Sequence, residues 1–213
     1  RNLLRDRPLA AAAVLALLAL CLWSTWMPPH QYDSLVYHLP LPEAYIRARG
    51  FAHLPMVYTH FPQNGEMLFM FSLLLKSDLL AQMFMWLAGA LSVWWLFEMG
   101  KREAPLSVVL LACLLLVSHT AFLLLAAITY VEALVMLWVT AAVFSFLRWR
   151  QLDATAPGNR GWLKLAASFT GLALGTKYYS GITAALLGAW LAARALRAPA
   201  QERARCWTDA VWF

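Results

Sequence analysis

The sequence has 213 residues, 62% of them hydrophobic and 13% charged, with a formal net charge of +6. Soluble domains sit near about 45–50% apolar and about 25% charged, so the chain falls in the membrane class, with length for about six spans of about 20 residues and one sizeable loop. The positive charge does not point to nucleic acid, because the basic residues cluster at the ends of apolar runs, where cytoplasmic loops place them. Cys21, Cys113 and Cys206 match no zinc or disulfide spacing.

The chain starts at Arg1 without a methionine and stops at Trp212-Phe213, so the expectation is the N-terminal part of a longer protein. The first apolar run, from Pro8 to about Met27, is longer than a signal-peptide core of about 7–15 residues and reads as a retained span. Pro8 suits a first helical position, Trp23 and Trp26 fit an interfacial belt, and Pro28-Pro29 ends the helix. Residues 28–78 then form a long polar loop. Inside it, Pro42 to Arg49 reads as a short surface helix stopped by Gly50. A second short helix starts at Asn64 as N-cap and runs to Leu75, too short to cross a bilayer.

Helix two is expected over about Leu79 to Phe97, closed by Lys101-Arg102. Helix three starts at Pro105, is interrupted by Ser118-His119-Thr120 and resumes over Ala121 to Ile128. Helix four opens at Thr129-Tyr130-Val131-Glu132 and ends at Arg148-Trp149-Arg150. A polar loop from Asp153 to Gly161 contains Pro157-Gly158-Asn159. Helices five and six follow over about Trp162 to Thr176 and Tyr179 to Ala195, before a basic tail from Arg197 to Arg205. The predicted fold is all-α, a polytopic transmembrane bundle of about six spans. It is a single transmembrane domain over residues 1–213, with an extracytoplasmic first loop carrying short interfacial helices.

Orientation follows from the basic residues. With the N-terminus in the cytoplasm, of the 17 Lys and Arg residues only Arg47, Arg49, Lys76 and Lys177 fall on the outer side. The cytoplasmic set includes Arg1, Arg5, Arg7, Lys101, Arg102, Arg148 and Arg150. All five histidines (His30, His38, His53, His60 and His119) then lie outside, together with Asp33, Glu43, Glu66, Asp78 and Glu132. A membrane protein has no solubility reason to sort histidines this way, so the outer face is where the chemistry is expected.

Four positions carry a functional reading beside a structural one. Asp33 can act as general base on an acceptor hydroxyl or amine, or cap a short helix. Glu66 can join His60 around a divalent cation, or be a first-turn acid favoured by the helix dipole. Glu132, entering an apolar span, is a functional candidate, or again a first-turn acid. Lys177 can bind a lipid phosphate as a point charge, or be a lysine near a helix C-terminus.

The ordered set of motifs resembles a family. Asp33-Ser34-Leu35-Val36-Tyr37-His38-Leu39-Pro40, just after the first span, resembles the first outer loop of the GT-C membrane glycosyltransferases, in the branch of protein O-mannosyltransferases and the lipid A aminoarabinose transferase. Phe61-Pro62-Gln63-Asn64-Gly65-Glu66 resembles the Pro-and-Glu segment later in that loop. Tyr130-Val131-Glu132 resembles the second acidic position, and Gly171-Leu172-Ala173-Leu174-Gly175-Thr176-Lys177 the Gly-rich helix ending in Thr-Lys.

The resemblance implies an inverting transferase of the bacterial inner (plasma) membrane. It would move a sugar from a polyprenyl-phosphate donor to an acceptor glycan, lipid or protein on the extracytoplasmic side. Carried over by position, Asp33 is the catalytic base and Glu132 the second loop acid. Lys177, with Tyr37 and His38, contacts the donor and its phosphate, and Glu66 with His60 matches a metal-contacting position. Two departures stand against it: Ser34 follows Asp33 where many relatives have a second acid, and relatives have about twice as many helices. A transporter or flippase, with Glu132 and Lys177 as intramembrane ligands, and a non-catalytic assembly subunit are the alternative readings.

Overall fold

The computed structural model describes residues 8–152, 156 and 158–213. Arg1, Arg5 and Arg7 of the expected cytoplasmic set, and Asp153 and Pro157 of the polar loop, lie outside the described residues. Among the described residues the structure is helical throughout, with no strand. The chain divides into two compact units, Arg1–Leu137 and Trp138–Phe213.

In the first unit, α1 (Pro8–Ser24) packs against α4 (Asp78–Glu103) and α5 (Leu106–Ser118). Two side chains of α4 fasten α1. Trp86 Nε1–H donates to the Leu18 carbonyl at 2.9 Å, and Gln82 Nε2–H to the carbonyls of Thr25 and Met27 at 3.1 and 2.7 Å. Carbonyls at a helix end have no partner inside the helix, so the fully buried Gln82 amide supplies what water cannot reach. Helix α4 is longer than the sequence suggests, because Ser77 caps it by accepting the Leu80 N–H at 3.1 Å and it runs on through Lys101 and Arg102. Its Gly100 lies so close to α5 that a Cβ would meet Val109 at 2.9 Å.

The polar loop carries α2 (Pro40–Ala48) and α3 (Asn64–Leu74), which pack on each other, with a 3₁₀ turn at Val57–His60 between them. Both helices end in the same way. Arg49 N–H donates to Ile46 O and Gly50 N–H to Tyr45 O; Lys76 N–H donates to Leu73 O and Ser77 N–H to Ser72 O. This is the Schellman closure, with Arg49 (φ 54) and Lys76 (φ 55) in the left-handed position. Gly50, expected to make that turn, follows it instead. Asn64 is not the N-cap either: it is the first helical residue, and Gln63 stands at the cap without a side-chain bond.

Beyond α5, His119 breaks the helix and caps the next one, α6 (Thr120–Leu125), its Nδ1 accepting the Ala121 N–H at 3.2 Å. Helix α7 (Glu132–Gln151) begins in the first unit and ends in the second. Among the described residues, α4 with 26 residues and α7 with 20 are long and apolar enough to cross a membrane; α1 and α5 are apolar but shorter. Of the six expected spans, two meet that length and composition among the described residues.

The second unit holds α8 (Asn159–Leu174), a 3₁₀ turn at Tyr178–Ser180, α9 (Gly181–Arg197) and α10 (Ala200–Trp212). Helix α8 starts three residues earlier than expected: Gly158 turns with φ 81, and Asn159 Nδ2–H donates to the Trp149 carbonyl at 2.9 Å. Phe146, Trp149, Leu163, Ala166 and Leu191 form its core. The basic tail is also a helix, α10. It packs on α9 through Asp209, which accepts from Arg194 Nη1 at 3.3 Å, while the Arg194 guanidinium lies 4.9 Å from the Trp149 ring.

Candidate active site in the first polar loop

The loop's first turn is π-helical, Ser34–His38, closed by the Leu39 N–H donating to Ser34 O at 3.1 Å. Such turns are rare and occur often at functional sites. This one buries Ser34, Tyr37 and His38. Asp33 precedes it in helical conformation (φ −65, ψ −32), and its side chain makes no capping bond. Its backbone N–H instead donates to the Tyr130 hydroxyl at 3.2 Å, which ties the loop to the segment just before α7.

Behind Asp33 lies a buried pair. His38 Nδ1 and Glu66 Oε1 are 2.7 Å apart, with the two side chains 1% and 5% exposed. A carboxylate accepts from Nδ1–H, which sets the tautomer and leaves Nε2 for another partner. Among the described residues Nε2 and Glu66 Oε2 have none. The His38 ring packs between Phe69, edge-on at 6.0 Å, and Tyr130 at 5.5 Å.

Tyr37 is the hub of the site. Its ring stacks on Tyr58, 4.3 Å between centroids and 4° from parallel, with Phe61 edge-on at 6.5 Å. Burial pushes its hydroxyl pKa well above the usual tyrosine range, and the charges of Asp33, Glu132 and Glu66, with Tyr130, push it further. Burial among aromatic rings dries the surroundings of this phenol, where charge acts more strongly than in water.

The remaining predicted residues sit elsewhere. Glu132 opens α7 and, with His119, lines a cavity of 220 Å³ that is otherwise apolar. His60 ends the 3₁₀ turn, its ring 6.0 Å from that of His53. Glu66 has His38 as its partner, and among the described residues no three His, Cys, Asp or Glu side chains come together to hold a metal ion. Lys177 belongs to the second unit, extended (φ −151, ψ 137) between α8 and the turn at Tyr178. Two residues without a predicted role join the site: Tyr130, visible in the Tyr-Val-Glu motif, and Tyr58, which no sequence signal marks.

A helical, apolar chain that gathers acids and aromatic rings in one polar loop fits the class of membrane-embedded transferases. Within it, the family model for dolichyl-phosphate-mannose-protein mannosyltransferase matches residues 59–211. That is well over half of the chain, which therefore belongs to this family of integral membrane glycosyltransferases that draw on lipid-linked sugar. Glu66, Glu132, His60 and Lys177 lie inside the matched stretch, and Asp33, Tyr37 and His38 lie before it. Neither the curated proteins nor the solved structures hold a significant match.

Proposed function

We propose that this protein is a membrane glycosyltransferase. It moves a sugar from a polyprenyl-phosphate donor to an acceptor on the extracytoplasmic face of a bacterial plasma membrane, with inversion, and Asp33 is the general base. A chain of the mannosyltransferase family whose first polar loop holds Asp33 against Tyr130, beside the buried His38–Glu66 pair, carries the reading. Among the described residues the Asp33 side chain makes no capping bond, whereas Glu66 is bonded to His38 and Glu132 opens α7.

In the reaction, the acceptor hydroxyl attacks the anomeric carbon from the face opposite the phosphate. The new glycosidic C–O bond forms as the sugar–phosphate C–O bond breaks. The hydroxyl proton passes to Asp33, and the polyprenyl phosphate leaves as an anion. His38, oriented by Glu66, offers Nε2 to the donor, with Tyr37 beside it. Glu132 assists the acceptor, and Lys177 is the proposed point charge for the lipid phosphate. The six apolar segments are proposed to cross the membrane with the N-terminus in the cytoplasm.

Asp33→Asn in the full-length protein tests this, with transfer measured at matched membrane expression. General-base catalysis is worth about 10²–10⁴-fold, so transfer is expected to fall by that order while the protein still inserts. Unchanged transfer overturns the assignment of the base. Wild-type protein that transfers nothing with lipid-linked sugar points to the transporter or subunit reading.

A further inference from the structure

A cavity of 430 Å³ lies in the loop, apart from the one that Glu132 lines. Its wall includes Tyr45, Phe51, His53, His60, Phe61 and Gln63. We propose that it binds a neutral saccharide, the sugar of the acceptor, beside the transfer site.

The wall chemistry selects the ligand. Among the described lining residues there is no Lys, Arg, Asp or Glu, so the wall carries no fixed charge for a phosphate or a carboxylate. This separates it from a site for the donor's charged headgroup. The aromatic rings are set at angles: Phe51 stands edge-on to Tyr45 at 5.2 Å between centroids and is itself 82% exposed. An exposed aromatic face beside polar groups suits the mixed apolar and hydroxylated faces of a pyranose ring. Binding sites of this size combine such rings with a few placed polar groups.

The polar groups fit hydroxyls. A neutral imidazole presents one donor and one acceptor, and the His53 and His60 rings are 6.0 Å apart. Gln63 is anchored at one end, its Nε2–H donating to the Thr59 carbonyl at 3.1 Å. Its Oε1 is left buried with no hydrogen-bond partner among the described residues. An unsatisfied buried acceptor is costly. A small turn of this amide toward a sugar hydroxyl would remove the cost on binding. Phe61 links the cavity to the site: it lines the one and stands edge-on to Tyr58 and Tyr37 in the other, at 5.7 and 6.5 Å.

The acceptor assignment rests on the transferase reading, whereas saccharide binding does not, so the test reads binding without turnover. Purified full-length protein in detergent is mixed with methyl α-mannoside and with neutral disaccharides, and saturation-transfer NMR is recorded on the sugar ring protons. Wild type is expected to give a signal, with Phe51→Ala and His53→Ala each lowering it at least threefold. Equal signals in all three proteins, or no signal from wild type, overturn the proposal. Dolichyl-phosphate mannose is then added: retained signal assigns the pocket to the acceptor, and displacement overturns that assignment in favour of the donor's sugar. Gln63→Glu is the companion variant: it keeps the size, replaces the Nε2–H donor to Thr59 with an acceptor and adds a charge, and is expected to weaken the signal.

Discussion

At the scale of single residues, the buried His38–Glu66 pair is the feature on which stability and chemistry meet. Removing one partner leaves the other buried without its bond. His38→Ala is therefore expected to lose about 3 kcal/mol, read as a lower unfolding midpoint in detergent. Replacing both, His38→Leu with Glu66→Leu, removes the orphan and is expected to recover most of that loss while transfer stays low. A double variant as unstable as the single one would show that shape, not pairing, matters there. Tyr37 gives a pH prediction. Its hydroxyl pKa is raised in the fold, so the folded state holds the proton after the unfolded chain has released it. This contribution is full below about pH 10, the unfolded value, and is lost as pH rises through the folded one. The unfolding midpoint of wild type is expected to fall more steeply than that of Tyr37→Phe above about pH 10. Asp33 stands out in the sequence because an acid directly after an apolar span is conspicuous. The partner of Glu66 does not, since His38 lies 28 residues away and only the packing of α3 on the first turn joins them.

At the scale of elements, local signals read well where a helix end uses its own side chain, as at the break at His119. They fail where a helix end uses backbone alone. The closures at Arg49 and Lys76 place a residue with a Cβ in a conformation that costs L-residues roughly 1–2 kcal/mol, while glycine adopts it freely. Lys76→Gly is expected to stabilise the protein by about 0.5–1 kcal/mol after the entropy of the more flexible unfolded chain is set against the relief. A lower midpoint in thermal unfolding would mean that the Lys76 side chain holds something its turn does not show. Helix α10 is hidden in the sequence for a different reason: a run with Arg203 and Arg205 looks like a solvated tail until Asp209 is seen to face Arg194.

For the whole molecule, the placing of charge predicts topology. With the N-terminus inside, the loop of residues 28–78 faces outward. A cysteine placed at Gly50, which is exposed and where an added Cβ would have no neighbour within 4 Å, reports this directly. In intact cells it is expected to react with a membrane-impermeant maleimide, whereas one placed at the exposed Gln201 is expected to react only after permeabilisation. The reverse pattern would invert the orientation. Lys177, one of four basic residues expected on the outer side, sits in the second unit before the turn at Tyr178.

The sequence by itself determined the membrane class, the helical fold and the position of the acid-bearing loop. Those depend on composition, apolar run length and the spacing of charges and breakers, all of them local quantities. Only the tertiary structure decided that the Asp33 N–H meets Tyr130, that His38 belongs to Glu66, and that Phe51, His53 and Gln63 share a cavity. These depend on which loop segments pack together. Aromatic stacking and buried hydrogen bonds bring residues dozens of positions apart within a few ångströms, and no periodicity in the chain records that choice.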